Sequence, residues 1–267
     1  MTKPTLNIVM ASINKAAGET VVQRLGKMEK IETERIPTGV KKLDDALGGG
    51  FPVGRMVELY GLQASGKSMI SQLVIAQAQK KGGDCVFVDA EGAFDPLFAA
   101  KLGVNVEELA LVQTGIGEDI IDIVAKLLKA EPMVVVIDSV GSMITRGEFE
   151  ESVEKVFMAP KARLMSKGLP KLTALNRKTL IIFINQQRQI VTTWGGGGLT
   201  TTGGMALGFY SSVRLEVKRD RELLYEGAKK TSEVIGQIVQ WNVTKNKCAP
   251  PHKKGSFRFF FDGRIKE

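Results

Sequence analysis

The chain has 267 residues, 43% of them hydrophobic and 25% charged, and a formal net charge of +8. That length suits one large α/β domain with appendages, or at most two small domains, and the composition is that of an ordinary soluble globule with no apolar run near the ~18 residues a membrane span needs. The positive balance favours a polyanionic partner, and 13 Lys/Arg against 7 Asp/Glu from Arg214 to Glu267 put most of the excess in the last fifth of the chain.

Residues 5–27 read as a helix, a break at Gly18 and a short strand. This piece is either a helix packed on its own domain or an arm that docks on a neighbouring subunit. We assign residues 1–33 to it as an oligomerisation arm and residues 34–267 to a core. A short helix is expected between Thr38 and Gly48, followed by a glycine-rich turn. "GRMVELYG" (Gly54–Gly61) has the pattern of a strand. The stretch Lys67–Gly83 has helical spacing and closes on two lysines and two glycines. "DCVFVDAEG" then reads as a strand ending in acids, "DPLFAAKLG" as a short helix, "LALVQT" as a strand and "EDIIDIVAKLLKAE" as an amphipathic helix. "PMVVVIDSV" and "TLIIFINQ" are near-continuous apolar runs, as in parallel strands buried on both faces. From Ser211 onward, strands alternate with charged turns and read as antiparallel hairpins. The glycine-rich stretch Thr192–Gly204 is expected to be a mobile loop. The fold class is therefore α/β, with a mostly parallel central sheet flanked by helices and an antiparallel C-terminal extension.

The two cysteines, Cys85 and Cys248, are far apart in sequence, which argues against zinc and for a reducing compartment. Cys85 reads as a small core residue. The only histidine, His252, lies in a Pro/Lys-rich turn, so Ser-His-Asp and Cys-His chemistries are discounted. The N-terminal stretch reads as neither a signal peptide nor a membrane span, and the protein is expected in the cytoplasm.

The run Gly61, Leu62, Gln63, Ala64, Ser65, Gly66, Lys67, Ser68 fits G-x-x-x-x-G-K-[ST], with Met69 next. Glycines let successive backbone N–H groups turn towards a phosphate, a lysine reaches the outer phosphates, and a hydroxyl ligates magnesium. The helix that follows adds its positive end. Strand, loop and helix occur here in the required order. Asp138, at the end of "VVVIDS", is the second candidate for the magnesium. Asp89 and Glu91 end another strand. Hydrolysis needs a carboxylate beside the terminal phosphate, and Glu91 is the candidate; the alternative is a solvated strand-end acid. Asn185, Gln186 and Arg188 follow a third strand, and Gln186 leads directly into the glycine-rich loop.

The stretches "TGVKKLDDALGGGFPVGRMVELYG", "ASGKS", "FVDAEGAFDPLFAAKLGV", "VVVIDSV", "LIIFINQQR", "TTTGGMALGFYSSVRLEV" and "TKNKCAPP" together resemble the bacterial RecA recombinase family, in the family's order, over roughly residues 36–255. The resemblance implies a RecA-like P-loop NTPase core using ATP and Mg2+, and a helical filament of identical subunits on single-stranded DNA. Double-stranded DNA would be the pairing partner, and no membrane is involved. It implies that Gly61–Met69 hold the phosphates, that Ser68 and Asp138 hold magnesium, and that Asp95 and Phe98 hold the adenine, Phe98 standing where a tyrosine is usual. Glu91 falls on the catalytic glutamate and Gln186 on the residue that couples the terminal phosphate to DNA. Lys245 and Lys247 fall on a lysine pair that reaches ATP on the next subunit.

Ser152–Ala159 falls on the first DNA loop and Arg188–Gly204 on the second. The first lacks the family's glycines but keeps Met158, with Arg163 beyond it. In the second, the candidates for DNA contact are Arg188, Trp194, Gly195, Gly196, Gly197, Gly198, Thr202, Gly203 and Gly204. Trp194 either stacks on bases or packs on the subunit. Gly208 stands where the family has a lysine. The family carries a further C-terminal lobe and acidic tail, and these 267 residues hold neither. Two other functions remain open at this point: an accessory DNA-dependent ATPase without strand exchange, and a regulatory module on another recombinase filament.

Overall fold

In this computed structural model, which describes residues 5–18, 20–27, 34–151, 159–189, 199–226 and 233–267, the chain divides into two units, Met1–Thr33 and Glu34–Glu267. Helix α1 (Leu6–Ala17) belongs to the first and stops at Gly18, whose φ of +70° is the left-handed conformation glycine adopts without strain. Beyond it, the Asn14 side chain accepts from the N–H groups of Val21 and Val22 and donates to the Val22 carbonyl, at 2.8–2.9 Å. Asn14 thus occupies backbone groups that a strand would need. The short strand expected here is absent among the described residues, and Leu25–Lys27 is a 3-10 turn. No residue of α1 is buried, and Leu6, Ile8, Val9 and Ile13 are exposed.

The second unit runs β1 (Arg35–Ile36), α2 (Lys41–Leu47), β2 (Phe51–Pro52), β3 (Met56–Gly61), α3 (Lys67–Lys80), β4 (Cys85–Asp89), α4 (Pro96–Lys101), β5 (Leu109–Gln113) and α5 (Gly117–Leu127). It continues with β6 (Val134–Asp138), α6 (Arg146–Glu150), α7 (Pro160–Leu175), β7 (Leu180–Gln189), β8 (Leu199–Thr201), α8 (Ala206–Tyr210), β9 (Val213–Tyr225), β10 (Val234–Asn246), β11 (Lys254–Phe260) and β12 (Ile265–Lys266). One sheet has the order β12-β11-β10-β9-β3-β7-β6-β4-β5, with β8 pairing β7 from off this path. Every neighbour pair from β5 to β9 is parallel, and β9 to β12 form an antiparallel meander.

Side chains alternate between the two faces of a strand, and here both faces are covered. Val57, Leu59, Phe87, Val136 and Ile182 pack with Ile70 and Val74 of α3. Met56, Val88, Ile137, Ile181 and Phe183 pack with Ile120 and Val124 of α5 and Met165 and Leu169 of α7. Burying such a side chain contributes about 1.5–3 kcal/mol, and cover on both faces is why β4, β6 and the first half of β7 are near-continuous apolar runs.

Hydrophobic periodicity does not reveal α7, because Gly168 and Pro170 interrupt it. Gly168 is required by packing: a Cβ there would lie 2.9 Å from Ile121 of α5. The stretch expected to be a loop at Thr192–Gly204 is also more ordered than its composition implies at its far end. There β8 pairs Thr200 with Arg188 and Thr201 with Gln187.

Candidate nucleotide site and neighbouring segments

Strand β3 ends at Gly61, where a Cβ would come within 2.0 Å of the Val217 carbonyl oxygen of β9. The chain then curls through Ala64 (φ +56°) to Gly66 (φ +99°), the N-cap of α3. Lys67 is buried and its Nζ donates to the Leu62 carbonyl at 2.8 Å, so the loop closes round its own ammonium. Burial pushes the Lys67 pKa down, while the Asp138 and Glu91 carboxylates push it back up. Ser65 Oγ is buried with no hydrogen-bond partner among the described residues. A curled backbone, an ammonium and the start of a 14-residue helix form an anion-binding cradle. The orphaned Ser65 hydroxyl is a polar group that a ligand would satisfy.

Three further strand ends complete the site. On β6, Asp138 Oδ2 accepts from Ser68 Oγ at 2.5 Å. Burial pushes the Asp138 pKa up to about 6, against the lowering effect of the Ser68 hydrogen bond. This hydroxyl and carboxylate are the oxygen ligands a hard cation such as Mg2+ takes, so the residues present fit that ion. At the end of β4, Asp89 accepts from the N–H groups of Ala93 and Phe94 at 3.1 and 3.0 Å and pins the turn that presents Glu91. Glu91 Oε1 accepts from Ser139 Oγ (2.6 Å), Ser142 Oγ (2.9 Å) and Gln186 Nε2 of β7 (3.0 Å). Lys67, Ser68, Glu91, Asp138 and Gln186 therefore gather at the carboxyl ends of β3, β4, β6 and β7, where open α/β sheets bind ligands. Sequence reasoning missed Ser139 and Ser142 as donors to Glu91; the signal was two hydroxyls within "DSVGS", directly after an apolar strand.

The other expected residues are dispersed. In the phosphate loop itself Leu62, Gln63 and Ala64 are exposed, whereas Met69 is buried in the core. Asp95 caps α4, accepting from the N–H groups of Leu97 and Phe98 at 2.9 and 3.0 Å. Phe98 is half-buried, its ring edge-on to Phe259 of β11 at 6.0 Å. Lys245 and Lys247 do not join Lys67. Lys245 pairs in register with Arg214, which itself lies beside Glu58 rather than beside the loop. Its Nζ donates to the carbonyls of Gly208 (2.6 Å) and Phe209 (3.1 Å). Burial, with the nearby Lys247 and Arg214 charges, pushes its pKa down. Strand β10 ends at Asn246, so Lys247 stands just past it, exposed.

Of the expected DNA-contacting residues, Met158, Trp194, Gly195, Gly196, Gly197 and Gly198 lie outside the described residues. Arg163 on α7 and Arg188 on β7 are exposed. Gly203 is buried, with φ +81° and room for a Cβ only 3.0 Å from Val140; at Gly204 (φ +74°) a Cβ would be 2.9 Å from Ala162. Close packing and positive φ thus favour glycine at both positions. Among the described residues no helix is long and apolar enough to cross a membrane.

A sequence model described as the RecA N-terminal domain matches residues 4–266. Protein RecA of Fusobacterium nucleatum is 44% identical over 262 residues, which are 97% of this chain and 68% of that protein. Protein RecA of Thermus thermophilus is 43% identical over 263 residues, 97% of this chain and 76% of that one. The crystal structure of the RadB recombinase matches with a TM-score of 0.63 at 22% identity, covering 86% of this chain and 98% of that one. At that identity the likeness speaks for the fold.

Proposed function

This chain belongs to the RecA family, and from that premise we propose that it is a DNA-dependent ATPase that assembles into helical filaments on single-stranded DNA and pairs it with a homologous duplex. The observation that carries this reading is the convergence of Lys67, Ser68, Asp138, Glu91 and Gln186 at the carboxyl ends of four neighbouring strands. When bound, ATP brings a transferable phosphoryl group and Mg2+ neutralises the charge that develops on it.

The chain's own residues do the rest. The turn from Gly61 to Ser68 and the Lys67 ammonium hold the phosphates, Ser68 and Asp138 hold the metal, and Asp95 and Phe98 flank the base. Glu91 is fixed through Oε1 by three donors. Its Oε2 is then the oxygen that orients a water and takes its proton. Gln186 reports the phosphate state to the segment that follows β7. The exposed apolar residues of α1 make the arm a docking element for a neighbouring subunit. A heterologous contact of that kind, repeated without closure, builds a filament.

Electron microscopy with single-stranded DNA and a non-hydrolysable ATP analogue tests the reading, and helical filaments are the expected result. ATP turnover should rise when single-stranded DNA is added, and its affinity for DNA should fall linearly with salt on a log–log plot. Turnover and filaments without strand pairing would identify an accessory ATPase. No turnover at all would identify a regulatory module.

A further inference from the structure

Strand β3 carries a charge where its neighbours are apolar. Glu58 is completely buried, between Val57 and Leu59. Its Oε2 accepts from Arg214 Nε at 2.6 Å and its Oε1 from Asn185 Nδ2 at 3.0 Å. Asn185, on the adjacent strand β7, is also completely buried and uses its whole amide. Besides Glu58, its Nδ2 donates to the Thr202 carbonyl at 3.0 Å, while its Oδ1 accepts from Thr202 Oγ1 at 2.5 Å and from the Gln186 N–H at 2.9 Å. Thr202 follows β8, on the return from the glycine-rich segment, and its N–H donates to the Gln186 carbonyl at 3.4 Å.

We propose that Asn185, oriented by the buried Glu58 carboxylate, is the positioning residue that locks Gln186 to Thr202, so that the nucleotide site and the returning end of the glycine-rich segment move as one. The proposal deepens the function proposed above and rests on it. A carboxylate can only accept, so Glu58 forces the NH2 side of the Asn185 amide towards β3. The carbonyl side is thereby committed to Thr202 Oγ1 and to the Gln186 N–H. A flipped amide would set its oxygen against the Glu58 carboxylate. One side chain therefore holds Gln186, whose own amide reaches Glu91, together with the carbonyl and the hydroxyl of Thr202. A displacement of Thr202 by bound nucleic acid would break or pull on the bonds through which Asn185 holds Gln186. Simple packing of β3 against β7 would need no polar atoms here, and burying a carboxylate and an amide is costly unless each is fully satisfied. The network meets that condition, with Arg214 closing the far side over the Tyr60 ring at 4.6 Å.

The test compares the affinity of a fluorescent oligo-dT for the protein with and without a non-hydrolysable ATP analogue. The ratio of the two affinities is the coupling. Thr202→Val, which removes only the hydroxyl donor, and Asn185→Ala should each cut that ratio by on the order of tenfold, within the usual range of couplings between sites. Thr202→Ser, which keeps the hydroxyl, should restore it. Because both residues act through one lock, the double variant should lose no more than either single variant. Full coupling in Thr202→Val, or losses that add in the double variant, would overturn the proposal. If Asn185→Ala does not fold, as judged by its melting curve, Thr202→Val against Thr202→Ser decides alone. A wild-type protein with no nucleotide-dependent gain in affinity would instead overturn the function proposed above, and this inference with it.

Discussion

The side-chain amide of Gln186 donates to Glu91 Oε1 at 3.0 Å and so ties the end of β7 to the turn after β4. Ser139 and Ser142 hold the same oxygen from the end of β6. Three strand ends therefore share the orientation of one carboxylate, and whatever moves Gln186 changes the donors around the acid proposed to handle water.

That geometry makes the charge of Glu91 the quantity to change. Glu91→Gln keeps the size and a carbonyl acceptor for the two serines but removes the base. Nucleotide binding should stay near the wild-type level while hydrolysis slows by on the order of 100-fold or more. Turnover at the wild-type rate, measured beside equilibrium ATP binding, would remove Glu91 from the role.

The separation of Lys245 and Lys247 from Lys67 within one chain gives the subunit interface its own test. The double change Lys245→Ala/Lys247→Ala should leave a folded monomer that binds ATP but has lost DNA-stimulated hydrolysis. Losing the Lys245 bonds to Gly208 and Phe209 should also cost about 1 kcal/mol of stability. Mixing this variant with Glu91→Gln protein should recover part of the hydrolysis, since a mixed interface joins an intact acid to intact lysines. No recovery, in filaments that microscopy shows to be mixed, would rule out catalysis across the interface.

The ion pair in the core predicts an asymmetry in stability. Glu58→Ala leaves Arg214 and Asn185 without their shared partner, and chemical denaturation should show a loss of about 3–5 kcal/mol. Glu58→Gln/Arg214→Met removes both charges at similar volume and should recover most of that loss. Equal instability of the two would mean that the site depends on the charges themselves rather than on their pairing.

Cys85 provides a check on packing. Burial, reinforced by the Asp84 charge, pushes its thiol up to about 12 from an ordinary 9.0. The native protein therefore keeps this proton at pH values where an unfolded thiol has lost it. Its contribution to stability is complete below about 9 and is lost as the pH rises towards 12. At pH 8 a chromogenic disulfide reagent should titrate Cys248 alone in the native protein and both thiols in denaturant. Rapid labelling of Cys85 in the folded state would contradict the packing of β4 against α3.

The sequence by itself determined the features that depend on neighbours along the chain. The loop from Gly61 to Ser68 is one contiguous turn, and its glycines and lysine act on the backbone beside them. The apolar runs of β4, β6 and β7 are legible because a strand buried on both faces has no polar side to show. Glu91, Asp138 and Gln186 could be singled out because each sits where such a run stops, whereas Asp95, Phe98, Lys245 and Lys247 stood out through family resemblance and not through pattern. The tertiary structure decided what depends on approach between distant segments. Gly168 and Pro170 look like helix breakers until α5 is seen to need the space at Gly168. Strand β8 exists because β7 offers it an edge at Gln187–Gln189. The Glu58 carboxylate meets Asn185 across 127 positions and Arg214 across 156. A lone acid in "MVELYG" shows that something must satisfy it, but a hydrogen bond is short and directional, so only the packed sheet decides which side chains arrive.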